Sequence, residues 1–279
     1  MNRKIILTAI AAVVVAGGIW SQVSGQKHDS ELAPSVAAPT EQAPPSVPPL
    51  DEQVLASLPE LTITTGADGI AVVTNASSTL VLANKNRNLP ADYEPDDLVV
   101  PNVAFSFSGD DPKKQLRREA ATALESLFAA AKQDGIDIMA VSGYRSYKKQ
   151  RSLYNYYVSQ HGEEEAARFS ARAGQSEHQT GLAMDVSSAS VGYGLEESYG
   201  ETTEGKWLVA HAAEHGFILR YLNGKENITG YQYEPWHIRY VGTDVAKQIM
   251  DQGITLEEFF DSAAVQAVQA GQLESASKN

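Results

Sequence analysis

The chain of 279 residues contains no cysteine. That excludes disulfides and thiolate ligands, so a bound metal would have to be held by His, Asp or Glu. It also excludes a lipid-modified cysteine at the N-terminus, while leaving the compartment open. Positive charge is scarce: 22 Lys and Arg stand against 35 Asp and Glu, a formal charge of −13. Such a surface has nothing to neutralise phosphates with, which argues against a nucleic-acid partner. No internal repeat is visible. The length allows one or two domains, but the first fifty or so residues do not read as globular, leaving one.

What is present at the N-terminus points to export. Arg3 and Lys4 precede an apolar run, Ile5 to Trp20, of 16 residues. That length lies between a signal-peptide core and a full membrane span. The positive flank predicts an inside N-terminus with the remainder exported. Residues 1–25 therefore read as a signal peptide or a membrane anchor, with Val23-Ser24-Gly25 a weak candidate for cleavage. Residues 26–58 read as a disordered linker, with prolines at 34, 39, 44, 45, 48 and 49 among Ala, Ser, Glu and Gln. Such a segment buries too little apolar surface to fold, and in the polyproline conformation it could span at most ~80 Å. In residues 59–77, Leu61 to Val73 alternates weakly around a turn at Gly66 to Gly69, which predicts a small hairpin extension. The folded domain is expected over 78–262, and 263–279 is a tail of unassigned role.

Within that domain, Asp111 and Pro112 form a helix start, a cap followed by a first-turn proline. Leu116, Ala120, Ala123, Leu124, Leu127, Phe128 and Ala131 recur at helical spacing, so the helix should run inward-facing to about Gln133 and end at Gly135. Further helices are expected over 147–160, 163–171 and 204–215, with strands over 136–141, 182–186, 217–221 and 231–240. Helices and few strands without regular βαβ repeats indicate an α+β domain, a small antiparallel sheet flanked by helices.

Two segments carry the chemistry. Ser176-Glu177-His178-Gln179-Thr180-Gly181-Leu182-Ala183-Met184-Asp185 and Glu234-Pro235-Trp236-His237 together supply two imidazoles, a carboxylate and a further glutamate. Three protein donors, a position left for water and a nearby base make up the ligand set of a catalytic zinc. Either His178 or Asp185 alone would read as a surface histidine or a turn-capping carboxylate; their joint spacing, with Ser176, Gly181 and Ala183, argues for metal ligation. Arg145, in Ser142-Gly143-Tyr144-Arg145-Ser146, falls where a strand gives way to a loop, a frequent place for functional groups. One objection is geometric: in a regular strand, Glu234 and His237, three apart, would face opposite sides. Pro235 cannot donate to a ladder and favours a bulge or edge, which could turn both into one cleft.

The first segment resembles the Ser-x-His-x-x-Gly-x-Ala-x-Asp motif of the VanY-type D-alanyl-D-alanine carboxypeptidases, bacterial zinc peptidases of peptidoglycan stem peptides, with every fixed position matched. Glu234-Pro-Trp-His237-Ile-Arg-Tyr240 resembles the family's closing Glu-x-x-His strand. Leu80-Val-Leu-Ala-Asn-Lys85 and Leu89-Pro-Ala-Asp-Tyr-Glu-Pro-Asp-Asp-Leu98 resemble its opening segment, so the likeness covers about 78–260. The resemblance implies zinc held by His178, Asp185 and His237, with Glu234 as base. It implies for Arg145 a grip on an anionic oxygen of the substrate, a task a guanidinium fork suits. Ser176 would bind substrate or only shape the loop. Ala173 stands where many relatives carry proline, a departure that touches loop stiffness.

A competing pattern is His211-Ala-Ala-Glu214-His215, the form of inverted zinc proteases. It falls in the last turns of a short helix before Gly216, within Trp207 to Tyr221, a stretch resembling a structural segment of the VanY family. His28, in the linker, and His161, at a helix end, read as solvated. The expected function is a zinc-dependent D-alanyl-D-alanine carboxypeptidase acting on peptidoglycan stem peptides outside the cytoplasmic membrane. The alternatives are L,D-carboxypeptidase activity on tetrapeptide stems and a non-catalytic wall-binding module with structural zinc.

Overall fold

Fully buried strands form the centre of the computed structural model, which describes residues 51–66, 69–269 and 272, all within one compact unit. The expectations for 1–25, for the linker up to residue 50 and for most of the tail fall outside those residues. In chain order the elements are helix α1 (Glu52–Ala56), strands β1 (Ile63–Thr65), β2 (Ala71–Val73), β3 (Arg87–Asn88), β4 (Leu98–Val99) and β5 (Leu116–Arg117), and helix α2 (Arg118–Gln133). Then come β6 (Met139–Ser142), α3 (Tyr147–His161), α4 (Glu163–Phe169), β7 (Ala183–Ser187), α5 (Thr203–His211), β8 (Phe217–Leu219), α6 (Glu226–Thr229), β9 (His237–Tyr240), α7 (Thr243–Gln252) and α8 (Leu256–Gln269).

The sheet that organises the domain has four strands in the order β6-β7-β9-β8, all antiparallel. Its two faces follow from the alternation of side chains along a strand. Met184 and Val186 of β7, Ile238 and Tyr240 of β9, and Phe217 and Leu219 of β8 face an apolar core closed by α2. Helix α2 supplies Ala120, Ala121, Leu124, Leu127 and Ala131, which recur at three, four and seven and so share one stripe. Asp185, His237 and Arg239 project from the opposite face, because Asp185 lies opposite His237 across the ladder and Ala183 opposite Arg239. On that side a second apolar cluster joins Ile218 and Val241 to α7, α8 and Leu80 and Leu82. The mixture of helices and small antiparallel sheets is the α+β arrangement expected, with β2 and β3 paired in parallel.

Several boundaries differ from expectation. Residues 51–58, expected at the end of the linker, are folded: α1 buries Val54, and Leu58 follows it into the cluster beneath α8. Asp51 caps that helix by accepting from the Gln53 N–H at 2.8 Å. Helix α8 runs past the expected limit at 262 and buries Ala263 and Ala267. Asp111 and Pro112 open only a 3₁₀ turn, Pro112–Lys114, after which β5 pairs with β4 and buries Leu116. Tertiary strand pairing thus overrides a local helix start, and α2 begins at Arg118. The hairpin expected in 59–77 is present as β1 and β2, but β3 joins it, so it is continuous with the domain. No helix among the described residues is long and apolar enough to cross a membrane.

Candidate metal centre

The sequence Glu177-His178-Gln179-Thr180 folds as a short 3₁₀ helix ended by Gly181 in the left-handed conformation, φ 68°. A Cβ at Gly181 would meet Arg117 Cγ and Leu98 Cδ2 at 3.0 Å, so both backbone and space require glycine there. The turn hands the chain directly into β7, which puts His178 beside Asp185. Nδ1 of His178 donates to the Gly143 carbonyl at 2.8 Å. That bond fixes the tautomer and leaves Nε2 with its lone pair towards Asp185 Oδ2, 3.3 Å away. Gly143 can approach so closely because it has no Cβ, which would stand 2.5 Å from the Gln115 carbonyl.

His237 opens β9 opposite Asp185, and its Nδ1 lies 2.9 Å from Asp185 Oδ1. The objection over Glu234 is resolved by where the strand starts. Residues 231–236, expected in the strand, lie outside it, because Pro235 has no N–H and the Glu234 N–H turns aside to the Tyr221 carbonyl at 3.1 Å. The His237 N–H then bonds the Glu234 carbonyl at 3.1 Å, a turn that brings both side chains to one side, Glu234 Oε2 4.0 Å from His237 Nδ1.

His178, Asp185 and His237 are all buried and can place one donor atom each within 4.8 Å of one another. Tetrahedral zinc with bonds of about 2.0–2.2 Å would separate its ligands by roughly 3.3 Å, so the observed spacing fits. The donor set, two imidazoles and a carboxylate, suits zinc as well. Electrostatics agree with a cation site. Burial opposes ionisation of Asp185, yet His178 and His237 hold its carboxyl well below the usual range. Burial opposes protonation of His237, yet its hydrogen bond to Asp185 and the facing carboxylate of Glu177 push it up to about 9. His178 shifts downward with burial and favours the neutral ligand form. Glu234 is the opposite case: burial pushes it up to about 8.

These residues open onto a cavity of about 300 Å³, lined also by Arg145, Ser176, Gln150, Tyr157, Tyr231 and Trp236. Arg145 donates to Gln150 Oε1 at 2.8 Å and Ser142 Oγ at 3.0 Å, and Gln150 in turn donates to the Ala171 carbonyl at 2.6 Å. The Arg145 N–H also bonds the His178 carbonyl at 3.1 Å, tying the arginine loop to the metal turn. Ser176 makes no capping bond to the turn that follows it. His211 and His215 lie elsewhere. The helix breaks between them, His211 Nδ1 donating to the Trp207 carbonyl at 2.8 Å and His215 Nδ1 bonding Ser126 Oγ at 3.0 Å.

A family model described as VanY, D-alanyl-D-alanine carboxypeptidase, matches residues 113–243. YodJ of Bacillus subtilis, which carries a carboxypeptidase name, is 50% identical over 194 residues, 70% of this chain and 71% of that protein. The chain belongs to the VanY family. Among solved structures, the LD-carboxypeptidase LdcB is 47% identical with a TM-score of 0.71, covering 76% of this chain and 97% of that one. A D,D-pentapeptidase VanY variant in complex with Zn(II) is 32% identical with a TM-score of 0.53, covering 65% and 98%. The family is thus one of zinc carboxypeptidases, and this chain's buried cluster is suited to the same metal.

Sequence reasoning missed Glu177, Arg220 and Arg239, three fully buried charges beside His237. A signal was there: Arg220 and Arg239 interrupt the apolar runs Phe217-Ile-Leu-Arg220 and His237-Ile-Arg239-Tyr, and buried arginines need a partner. Trp236 both packs in the core and lines the cavity.

Proposed function

We propose that this chain is a zinc-dependent carboxypeptidase that releases C-terminal D-alanine from peptidoglycan stem peptides, with His178, Asp185 and His237 holding the metal. The observation that carries the reading is the placement of Glu234. It is a buried carboxyl, pushed up to about 8, 4.0 Å from the nearest metal-facing nitrogen and on the wall of the same cavity. A general base works best with a pKa near the operating pH, and burial supplies that tuning. A module that only bound the wall would have no use for such a group.

Zinc held by His178, Asp185 and His237 would supply Lewis-acid chemistry, lowering the pKa of a water and polarising the scissile carbonyl. Glu234 takes a proton from the attacking water as the water oxygen bonds the carbonyl carbon. Arg145, held by Gln150 and Ser142, donates to an anionic oxygen, either the terminal carboxylate or the oxyanion of the tetrahedral intermediate. When the C–N bond breaks, Glu234 passes its proton to the leaving amine of D-alanine. Ser176 also lines the cavity, which supports a role for its hydroxyl in bonding substrate. The small side chains of the motif loop favour a small leaving residue.

The L,D reading on tetrapeptide stems is the second one, and a specific observation favours it: LdcB is more similar to this chain than VanY is, in identity and in fold. Export through residues 1–25, with removal or retention as an anchor, and the linker beyond them would place the enzyme outside the cytoplasmic membrane. Digests of pentapeptide and tetrapeptide stems by the zinc-loaded protein, read by mass spectrometry, test all of this. Loss of one alanine from the pentapeptide alone gives D,D specificity, and loss from the tetrapeptide gives L,D. Cleavage inside the stem overturns the carboxypeptidase assignment. No release from either, by protein shown to hold zinc, favours the wall-binding module.

A further inference from the structure

Glu177, the residue before His178, has a side chain with no exposure at all. Its Oε1 accepts two charge-assisted bonds, from Arg220 Nε and Arg239 Nη1, each 2.7 Å long. Arg220 is held on its other side by Glu257 in a two-pronged pair at 2.8 and 2.7 Å. Arg239 spends its remaining donors on the backbone, at the carbonyls of Tyr240, Thr79 and Val81. Two carboxylates and two guanidiniums make this cluster neutral, so it adds no net charge to the cavity. One atom is left over. Glu177 Oε2 is buried without a hydrogen-bond partner, and so is His237 Nε2, and the two face each other at 3.6 Å.

An unpaired buried carboxylate oxygen is costly, because it gives up its hydration for no partner. Compensating the arginines does not require it, because Oε1 already serves both. The ring of His237 gives it a purpose. If Nδ1 offers its lone pair to a metal, the proton of the neutral imidazole must sit on Nε2, where only an acceptor is tolerated.

We propose that Glu177 is a positioning residue of the metal site, its carboxylate fixed by Arg220 and Arg239 so that Oε2 accepts the Nε2–H of His237 and presents Nδ1 to the metal. The proposal rests on the reading of His237 as a ligand. Acceptors of this kind orient the ring and raise the basicity of the ligating nitrogen. The carboxylate is held far more stiffly than a solvated one would be, because both arginines are themselves buried and bonded at every guanidinium nitrogen.

The test is zinc affinity by competition with a chelator, on protein whose folding is checked by circular dichroism. Glu177→Gln keeps the shape but turns the acceptor into an amide, and zinc should dissociate roughly 10–100-fold more readily. The visible spectrum of the cobalt-substituted protein should shift with it. Glu257→Gln loosens the same network from outside: it should lower the melting temperature and leave zinc affinity unchanged. Nitrogen-15 histidine spectra of the zinc-loaded natural protein decide independently of any variant: His237 should show a protonated Nε2 with a hydrogen-bonded proton resonance. Natural affinity and cobalt spectrum in Glu177→Gln, or a proton on Nδ1 in the loaded protein, overturn the proposal. If His237→Ala loses zinc while Glu177→Gln keeps it, this inference alone fails. If His237→Ala keeps tight zinc, the ligand assignment itself fails.

Discussion

Both faces of the central sheet are buried, but the buried ionisable groups gather on one of them. The face towards α2 is apolar throughout, with Leu124, Leu127, Met184, Val186 and Ile238 packed together. The other face carries Asp185, His237 and Arg239, meeting Glu177, His178, Glu234 and Arg220. Neighbouring residues of one strand therefore answer to different physics. Ile238 contributes by leaving water, while His237 and Arg239 on either side must each find a charged or polar partner to be buried at all. The apolar face sets stability and the ionic face sets chemistry, and substitutions should separate the two.

The largest effect should come from the proposed metal ligands. His178→Ala, Asp185→Ala and His237→Ala are each expected to abolish tight zinc binding and with it peptide cleavage, read by metal analysis of the purified protein. His211→Ala and His215→Ala, whose rings bond the Trp207 carbonyl and Ser126 Oγ away from the cavity, should leave zinc content unchanged. Metal loss in the second pair but not in the first three would place the site in the wrong part of the molecule.

Next in size is Glu234→Gln, which should keep volume and zinc while removing the proposed base. Turnover should drop by a factor on the order of 10² or more. Near-natural turnover would rule Glu234 out. Arg145→Ala should reduce kcat/KM by the equivalent of about 2–4 kcal/mol, and stem peptides amidated at the C-terminus should be cut poorly if the guanidinium reads the terminal carboxylate.

On the apolar face, Leu124→Ala should cost about 2–5 kcal/mol of unfolding free energy, measured in denaturant, because the emptied volume lies in packed core. Zinc stoichiometry and KM should be unaffected in the folded fraction. A change in metal affinity would show the two faces to be coupled through β9.

What was legible in the sequence divides along the same line. The apolar stripe of α2 and the spacing from His178 to Asp185 are local patterns, and both appear where the residues predicted them. The position of α2's start was not legible, because whether Leu116 opens a helix or pairs as a strand depends on β4, distant in sequence. Nor was the burial of α1 against α8, since five helical residues bury little until a far segment covers them. Glu177 occupied a variable-looking position of a recognised motif, and its meaning depends on two arginines more than forty residues away. Single-residue chemistry can be read from neighbours, whereas a buried ion network exists only after folding.

The last expected effect concerns pH, and it tests whether the ionic face is a stability cost. Burial raises Glu234 from the ordinary glutamate value to about 8 in the metal-free protein. A group whose folded value exceeds its unfolded one binds its proton more tightly when folded. Its contribution is fully present below about 4.3, the unfolded value, and is lost as pH rises through about 8. Metal-free Glu234→Gln has no such proton to lose. Relative to the natural metal-free protein it should therefore gain stability as pH climbs from 5 to 9, by an amount on the order of a few kcal/mol, and show no pH-dependent gain below pH 4. Denaturant titrations of both proteins in chelator across that range check the sign. A difference that stays constant with pH would mean that Glu234 ionises normally. The carboxyl would then be solvated in the metal-free cavity, and the tuning assigned to burial would have to come from elsewhere.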